Sequence, residues 1–315
     1  AMSTRLIPPL ALLLADLAPM PMAAAQTPPS ATATTEALLP FGTSTFTFSD
    51  WAGPAIPVWT FVPEGIDPAT APILIVMHGQ NRDADRYVAQ WRGQAEACGF
   101  IAIVPEFSRR QFPTSREYNF GNITESAGGG LRDRDQWTFA AIEPLFDKVL
   151  ARLGGRQTGY TIYGHSAGSQ FVHRFALTQR DTRAVRFLAA NAGWYTLPTF
   201  AQDYPYGLKG TDLDETDVKR ALGRDMVLLL GDKDIDPNED SLNRSEGAMM
   251  QGAHRFARGH NFHAFGKDVA QREGWAFGWS VREVPGVAHD NGGIAKAAGD
   301  LVAGVTGCAA AGRAG

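Results

Sequence analysis

YTIYGHSAG, residues 160–168, is the stretch that decides how the rest of this 315-residue chain is arranged. Residues 160–163 predict a β-strand, which runs directly into GHSAG, a G-x-S-x-G motif with Ser166 at its centre. An apolar pattern at helical spacing follows over residues 171–175. A strand, a tight turn with a central serine and then a helix are the context in which this motif forms a nucleophile elbow.

Two glycines allow the turn around Ser166 to be sharp. Gly164 and Gly168 carry no side chain, so the backbone can bend closely there. We expect the bend to lift the serine hydroxyl clear of the sheet, where the amides and dipole of the new helix favour negative charge beside it. We interpret Ser166 as a nucleophile. The alternative is a strand-to-helix turn built of small residues, without a chemical role.

The composition of the chain excludes several classes of protein. An apolar fraction of 44% supplies enough core for one large domain or two small ones. The net charge is −4 with both signs scattered, which is not the pattern of a nucleic-acid or membrane-surface patch. After the N-terminal region, no apolar run reaches the length of a bilayer span. We therefore expect neither a nucleic-acid partner nor stable membrane insertion once a leader is removed.

Residues 1–25 have the pattern of a secretory signal peptide. Arg5 gives a positive start, an apolar stretch follows over residues 6–17, and three alanines end at Ala25, where we expect cleavage. The alternative, a membrane anchor, is disfavoured because the apolar run is short. We therefore expect the mature protein to be secreted or periplasmic.

The remaining chain divides by composition into three parts. Residues 26–40 are rich in Thr, Pro, Ala and Ser and predict a flexible tether. Residues 41–308 contain all the predicted strands and helices and form the expected folded domain. Residues 309–315 are small residues and one arginine, and we expect a disordered tail there.

The two cysteines, Cys98 and Cys308, leave two interpretations open. An exported protein meets an oxidising compartment, in which a disulfide between them would persist. Two separate buried thiols are the alternative. No C-x-x-C spacing is present, so these residues do not predict a metal site.

Strands and helices alternate along most of the domain. The predicted strands are residues 44–48, 57–62, 73–77, 100–104, 160–163, 185–190, 226–230 and 279–284. The predicted helices are residues 83–97, 135–153, 212–222, 248–265 and 293–305, in addition to the helix after Ser166. This order predicts an α/β fold, with a mostly parallel sheet of about eight strands covered by helices on both faces. The first two strands are joined too closely for a crossover helix, so we expect the sheet to begin antiparallel.

Three segments predict irregularities. Pro144 is expected to kink the helix over residues 135–153. Glycines are expected to break the helix over residues 248–265. Residues 105–134 form a long stretch without a regular pattern, which is typical of a functional or mobile loop and is the nearest candidate for a lid.

A serine nucleophile needs a base, and His289 is the best candidate. It follows the last predicted strand, in a glycine-rich loop between small residues from which it can reach Ser166. The other histidines are His78, His165, His173, His254, His260 and His263. The i, i+3 spacing of His260 and His263 suits a metal, but no third ligand of matching spacing is evident, so we expect surface or cleft-rim residues and no metal site.

The acid that orients the base is predicted in GDKDIDPNED, after the strand over residues 226–230. It offers Asp232, Asp234 and Asp236. Their alternate spacing resembles a calcium loop, but Pro237 stands where the turn glycine is needed and Asn243 where a bidentate glutamate is needed. We predict Asp234, because it lies beyond the strand end, and Asp232 and Asp236 remain alternatives.

The order Ser166, Asp234, His289 resembles that of the α/β-hydrolase superfamily, and the resemblance extends from about residue 44 to the last helix. The GDKD segment resembles the G-x-x-D acid loop of secreted esterases in that superfamily. The chain looks like the polyhydroxyalkanoate depolymerase and polyester-hydrolase-like esterases among them. It lacks the H-G-G-G sequence of the hormone-sensitive-lipase branch, and no separate lid domain is evident.

The resemblance also implies an oxyanion hole and a substrate contact. His78-Gly79 resembles the H-G turn of the family, which places the two oxyanion amides at Gln80 and Ala167, with Asn81 as an alternative to Gln80. Trp194 and Tyr195 stand where polyester hydrolases carry a substrate-side tryptophan. The alternative for Trp194 is that it packs a loop.

Together these patterns predict an exported serine esterase. It would cleave small or polymeric carboxylic esters, among them aryl esters and polyesters, through an acyl-enzyme on Ser166 and without a metal or organic cofactor. An acyltransferase and a peptidase use the same triad and remain alternatives, as does a catalytically inert binding protein on the same scaffold.

Overall fold

The computed structural model describes residues 36–306 and residue 308. The predicted signal peptide, residues 26–35 of the predicted tether and the predicted tail lie outside these residues. The described residues from 37 onward form one compact unit.

A single sheet of eight strands organises this unit. The strands are β1 (Gly42–Phe48), β2 (Ile56–Val62), β3 (Ile73–Met77), β4 (Ile101–Pro105), β5 (Tyr160–His165), β6 (Ala184–Ala190), β7 (Met226–Gly231) and β8 (Trp279–Val284). Their spatial order is β1-β2-β4-β3-β5-β6-β7-β8. β2 is antiparallel to both neighbours, and the other pairs are parallel. The predicted α/β fold with an antiparallel start is confirmed.

Seven helices accompany the sheet in the described chain. They are α1 (Ala84–Cys98), α2 (Ile142–Leu153), α3 (Ala167–Thr178), α4 (Glu215–Leu222), α5 (Glu246–Met249), α6 (Arg255–Glu273) and α7 (Asn291–Ala298). Within residues 36–306, no helix combines the length and the apolar character that crossing a bilayer would require.

The strands alternate their side chains between two apolar layers. In β3, Ile73, Ile75 and Met77 pack on the side of α2, α3 and α6, whereas Leu74 and Val76 pack on the side of α1 and α7. All five are at most 1% exposed. Burial on both faces is the reason that the parallel strands read as continuous apolar runs.

Helix α2 begins later than predicted, so Pro144 lies near its start and not in its interior. Two short 3₁₀ turns, Arg134–Gln136 and Thr138–Ala141, precede it. Pro144 then falls in the first turn of α2, where a backbone N–H has no helical partner to lose. A proline at that position is compatible with a straight helix.

Helix α6 continues unbroken through two of the glycines that were expected to interrupt it. Gly259 faces Leu230 and Gly266 faces Trp279, and a Cβ atom at either glycine would overlap those side chains. The missing side chains let α6 lie close to β7 and β8. Packing against the sheet thus outweighs the low helix propensity of glycine. The third glycine, Gly252, lies between α5 and α6.

The end of the predicted tether is packed against the domain. Leu39 is 8% exposed, and its amide donates to the carbonyl of Arg152 over 2.7 Å. The Arg152 side chain in turn donates to the carbonyl of Ala37. The folded unit therefore begins a few residues before residue 41, because an apolar side chain is buried there.

Cys98 and Cys308 form a disulfide. It joins the end of α1 to the C-terminal segment across 210 residues of sequence. The structure thus resolves the two interpretations in favour of the bridge.

We expect two glycine-to-alanine substitutions to have opposite effects on stability. Gly259→Ala should lower the free energy of unfolding by about 1–3 kcal/mol, because the new methyl group overlaps Leu230. Gly93→Ala, at an exposed position inside α1 with open space around it, should raise it by about 1 kcal/mol. Urea unfolding curves measure both. A Gly259→Ala protein at least as stable as the wild type would contradict the packing argument.

Candidate active site

Ser166 lies at the turn between β5 and α3. Its backbone angles, φ 58° and ψ −117°, are unusual for a residue with a side chain. A Cβ atom at Gly164 would overlap the carbonyl of Gly168, and one at Gly168 would overlap the carbonyl of Met77. Both glycines of the motif are therefore required by close backbone contacts, as the sequence predicted.

The three predicted triad residues form one hydrogen-bonded line. His289 Nδ1 lies 2.7 Å from Asp234 Oδ2, and His289 Nε2 lies 3.0 Å from Ser166 Oγ. Because a carboxylate can only accept, Nδ1 carries the proton and Nε2 is free to accept the proton of the serine hydroxyl. Asp234 is 4% exposed, so its interaction with the imidazole is shielded from water. This geometry suits proton transfer from Ser166 to His289.

The two alternative acids have other contacts. Asp232 Oδ1 accepts a hydrogen bond from the amide of Gly286 over 2.8 Å, within the loop that follows β8. Asp236 is exposed and accepts from the amide of Asn238. Of the three candidate aspartates, the structure brings Asp234 to His289.

Two backbone amides near Ser166 have no acceptor among the described residues. Across residues 36–306, neither the amide of Gln80 nor that of Ala167 donates a hydrogen bond to another protein group. Gln80 lines the cavity around Ser166, and Ala167 opens α3 directly behind the nucleophile. A Cβ atom at Gly79 would come within 3.8 Å of Ser166 Cβ, so the H-G turn lies against the serine. The alternative donor, the amide of Asn81, is in the same segment and is also unengaged.

His165 packs against the base. Its ring centroid lies 4.7 Å from that of His289, and Asn191 Nδ2 lies 3.2 Å from its Nε2. Asn191 Oδ1 accepts from the amide of Gly231, so Asn191 Nδ2 is the donor to His165. Burial holds the pKa of His165 well below its usual value, and the nearby His289 acts in the same direction. His165 therefore presents a neutral ring to the base.

Two further histidines are structural. Burial lowers the pKa of His78 to about 4, and its Nε2 accepts from the amide of Phe107 over 2.9 Å. Burial also lowers the pKa of His173, whose Nε2 accepts from the amide of Thr196 over 2.9 Å. Both rings are neutral and bind neighbouring backbone, and neither contacts Ser166.

The histidines of α6 do not form a metal cluster. His260 pairs with Glu283 at 2.9 Å, and His263 Nε2 lies 3.3 Å from the carbonyl of Trp279. No group of three or more potential ligands in the described part of the chain is arranged to hold a metal ion.

The structure does not bring Trp194 and Tyr195 to the cavity around Ser166. Tyr195 is fully buried and stacks on Phe262 at 4.3 Å. Trp194 is 4% exposed and packs on Arg174 and Tyr206. The placement of Trp194 corresponds to the alternative that it packs a loop, because both of its faces are covered.

The cavity at Ser166 has a volume of about 170 Å³ and a polar lining. Besides Ser166 and His289, its polar walls are formed by Gln80, Asn81, Arg86, Ser241, Asp290 and Asn291. A larger cavity of about 390 Å³ lies between residues 116–129 and residues 203–210, and none of the three triad residues lines it. The irregular segment over residues 105–134 contributes to this second cavity, not to the first.

Sequence reasoning missed Asn191 and Arg255. Asn191 follows β6 and has a φ of 46°, a conformation that asparagine tolerates, so its position at a strand end was a usable signal. Arg255 lies 3.3 Å from Asp234 Oδ1 and is 2% exposed. Nothing in the local sequence marks an arginine as buried.

Solved structures of other proteins resemble this chain along most of its length. Poly(aspartic acid) hydrolase-1 from Sphingomonas sp. KT-1 is 44% identical, with a TM-score of 0.81 over 84% of this chain and 99% of that one. LpqC, a poly(3-hydroxybutyrate) depolymerase from Bordetella parapertussis, is 32% identical, with a TM-score of 0.78 over 83% and 89%. An S-formylglutathione hydrolase from Agrobacterium tumefaciens shares the fold at 14% identity and a TM-score of 0.55, over 84% and 94%.

No family model matches the chain, and no curated protein does. The two relatives above 30% identity nevertheless cover nearly the whole folded unit and are hydrolases. With the eight-stranded sheet and the serine at its elbow, they show that the chain belongs to the α/β-hydrolase superfamily and is a hydrolase that resembles the serine esterases of that superfamily.

Proposed function

We propose that the protein is an exported serine hydrolase that cleaves carboxylic esters. The observation that carries the proposal is the line from Asp234 through His289 to Ser166, with distances of 2.7 and 3.0 Å, beside two unengaged amides. A nucleophile, a base, an orienting acid and oxyanion donors are the parts that acyl transfer requires.

In the first half of the reaction, Ser166 Oγ attacks the carbonyl carbon while His289 Nε2 takes the hydroxyl proton. The carbonyl oxygen becomes an oxyanion, which the amides of Gln80 and Ala167 stabilise. One such donor contributes about 3–4 kcal/mol to lowering the barrier. Asp234 stabilises the imidazolium that forms. The alcohol then leaves with the proton from His289, and the acyl group remains on Ser166.

In the second half, water attacks the acyl-enzyme and gives its proton to His289. The carboxylic acid is released, and His289 returns the proton to Ser166. All proton transfers are handled by His289, so the proposed reaction needs no metal or organic cofactor.

The cavity at Ser166 favours a short and polar substrate. The exposed side chains of Gln80 and Asn81 offer hydrogen bonds, whereas a long alkyl chain would find little apolar surface to cover it. The relative from Bordetella is named for a polymer of a short hydroxy acid. We therefore propose short acyl groups with hydrogen-bonding substituents, including polyester units, as the substrates.

Export is supported by two features of the chain. Residues 1–25 have the pattern of a signal peptide. The disulfide between Cys98 and Cys308 is of a kind that persists outside the reducing cytosol.

Amide hydrolysis is a second candidate function. The relative with 44% identity is named for poly(aspartic acid), a polymer joined by amide bonds. The same triad can cleave amides, with His289 protonating the leaving amine. The peptidase alternative is therefore retained in the form of amide cleavage within a polymer.

The acid is tested by a pair of substitutions. Asp234→Asn should lower kcat by about 10⁴-fold, because the amide fixes the wrong imidazole tautomer. Asp236→Asn, in the same loop but exposed, should keep the rate of the wild type. Hydrolysis of a p-nitrophenyl ester measures both. A near-normal rate in Asp234→Asn would show that Asp234 is not the acid.

The substrate class is tested with two sets of compounds. For p-nitrophenyl esters, kcat/KM for dodecanoyl should not exceed that for butanoyl, because a methylene group gains about 0.8 kcal/mol only where an apolar wall buries it. A steady rise with chain length would contradict the polar cavity.

Oligomers of 3-hydroxybutyrate and of aspartate, compared by product analysis, separate esters from amides: cleavage of the aspartate oligomer alone would favour the second candidate.

A further inference from the structure

A buried arginine lies on the side of Asp234 that His289 does not occupy. Arg255 is the first residue of α6 and is 2% exposed. Its Nη1 lies 3.3 Å from Asp234 Oδ1, while His289 uses Oδ2. The amide of Phe256 also donates to the carbonyl of Asp234 over 3.1 Å. The start of α6 thus holds both the backbone and the second carboxylate oxygen of the acid.

The charge of Arg255 is itself balanced. Its Nη2 lies 2.7 Å from Glu239 Oε2 and 2.8 Å from Ser241 Oγ. Burial alone would raise the pKa of Glu239, but hydrogen bonds from Ser241 and the charge of Arg255 lower it to about 2. Glu239 is therefore a permanent anion. The charges alternate along the row Glu239, Arg255, Asp234 and His289 when His289 is protonated.

We propose that Arg255 is a positioning residue for the triad: it fixes the plane of the Asp234 carboxylate and sets the charge that His289 experiences, with Glu239 as its counter-ion. With both oxygens engaged, the carboxylate cannot rotate away from His289. The positive charge of Arg255, on the far side of the carboxylate, also repels the positive charge that develops on His289 during the reaction. This role rests on the proposed function.

Several other titratable or charged groups face the Asp234–His289 pair, and the variants used in a test must leave these groups, apart from Glu239, unchanged. The titratable or charged groups that face it, besides Arg255, are His165 at the end of β5, Tyr195 after β6, Glu239 in the acid loop, and Arg86 and Asp290 around the cavity. Arg258 provides a matched control. It lies one turn later on α6, is equally buried, and donates to the carbonyls of Gly193 and Asn243 instead of to Asp234.

The experiment compares Arg255→Met, Arg255→Lys, Glu239→Gln and Arg258→Met by the pH profile of kcat/KM. Arg255→Met should lower kcat by on the order of 100-fold through misplacement of the acid. It should move the acid limb of this profile, the part in which kcat/KM rises with pH, to higher pH by about one unit. Glu239→Gln should move the limb to lower pH, because Arg255 is then less neutralised. Arg255→Lys keeps the charge and should keep the limb while lowering kcat, and Arg258→Met should leave the limb in place.

A wild-type acid limb in both Arg255→Met and Glu239→Gln would overturn the proposal. If Arg255→Met does not fold, an unmoved limb in Glu239→Gln overturns it alone. The downfield proton resonance of His289 Nδ1–H gives a readout in the resting protein that needs no turnover. It should shift in Arg255→Met and stay in Arg258→Met, and the reverse pattern contradicts the role. Failure of the proposed function is read separately, as wild-type hydrolysis that survives Ser166→Ala.

Discussion

The contact between backbone segments around Gly164 and Gly168 determines where the chemistry can occur. Gly168 faces the carbonyl of Met77 and Gly164 faces the carbonyl of Gly168, with no room for a side chain at either glycine. This contact brings the end of β3 against the first turn of α3. The H-G turn therefore lies beside Ser166. The two unengaged amides belong to different segments, Gln80 to this turn and Ala167 to the start of α3.

The unusual backbone of Ser166 is held by its surroundings. Its amide donates to the carbonyl of Ala190 over 2.9 Å, and its carbonyl accepts from the amide of Gln170 over 3.1 Å. A conformation of this kind costs about 1–3 kcal/mol and persists only where neighbouring contacts fix it. Asn191, the residue directly after the neighbouring strand β6, connects His165 to the start of the acid loop at Gly231. Ser166, His289 and Asp234 are thus connected to a set of buried polar contacts.

Much of the fold could be predicted because its signals are local. Apolar runs such as residues 73–77 mark buried strands, and the G-x-S-x-G motif marks the elbow. The errors came from tertiary contacts: Gly259 and Gly266 read as helix breakers, but they face Leu230 and Trp279 across a close interface. The long segment over residues 105–134 could not be assigned to a cavity, since it has no periodic pattern.

The three residues at the centre of the candidate site could be predicted from the sequence, but the residues that hold them in place could not. Chain order and strand ends pointed to Ser166, Asp234 and His289, which the structure brings together. Trp194 was expected near substrate from a resemblance alone, and the structure covers both of its faces. Arg255 was not foreseen, because burial of a charged side chain depends on partners that are distant in sequence.

The central claim is that Ser166 is a nucleophile activated by His289. The most direct measurement is covalent labelling with a fluorophosphonate, followed by intact-mass and peptide mass spectrometry. The account predicts a single adduct on Ser166 that forms at least 100-fold more slowly when His289→Gln removes the base. An adduct on another residue, no adduct, or an unchanged labelling rate in His289→Gln would contradict it.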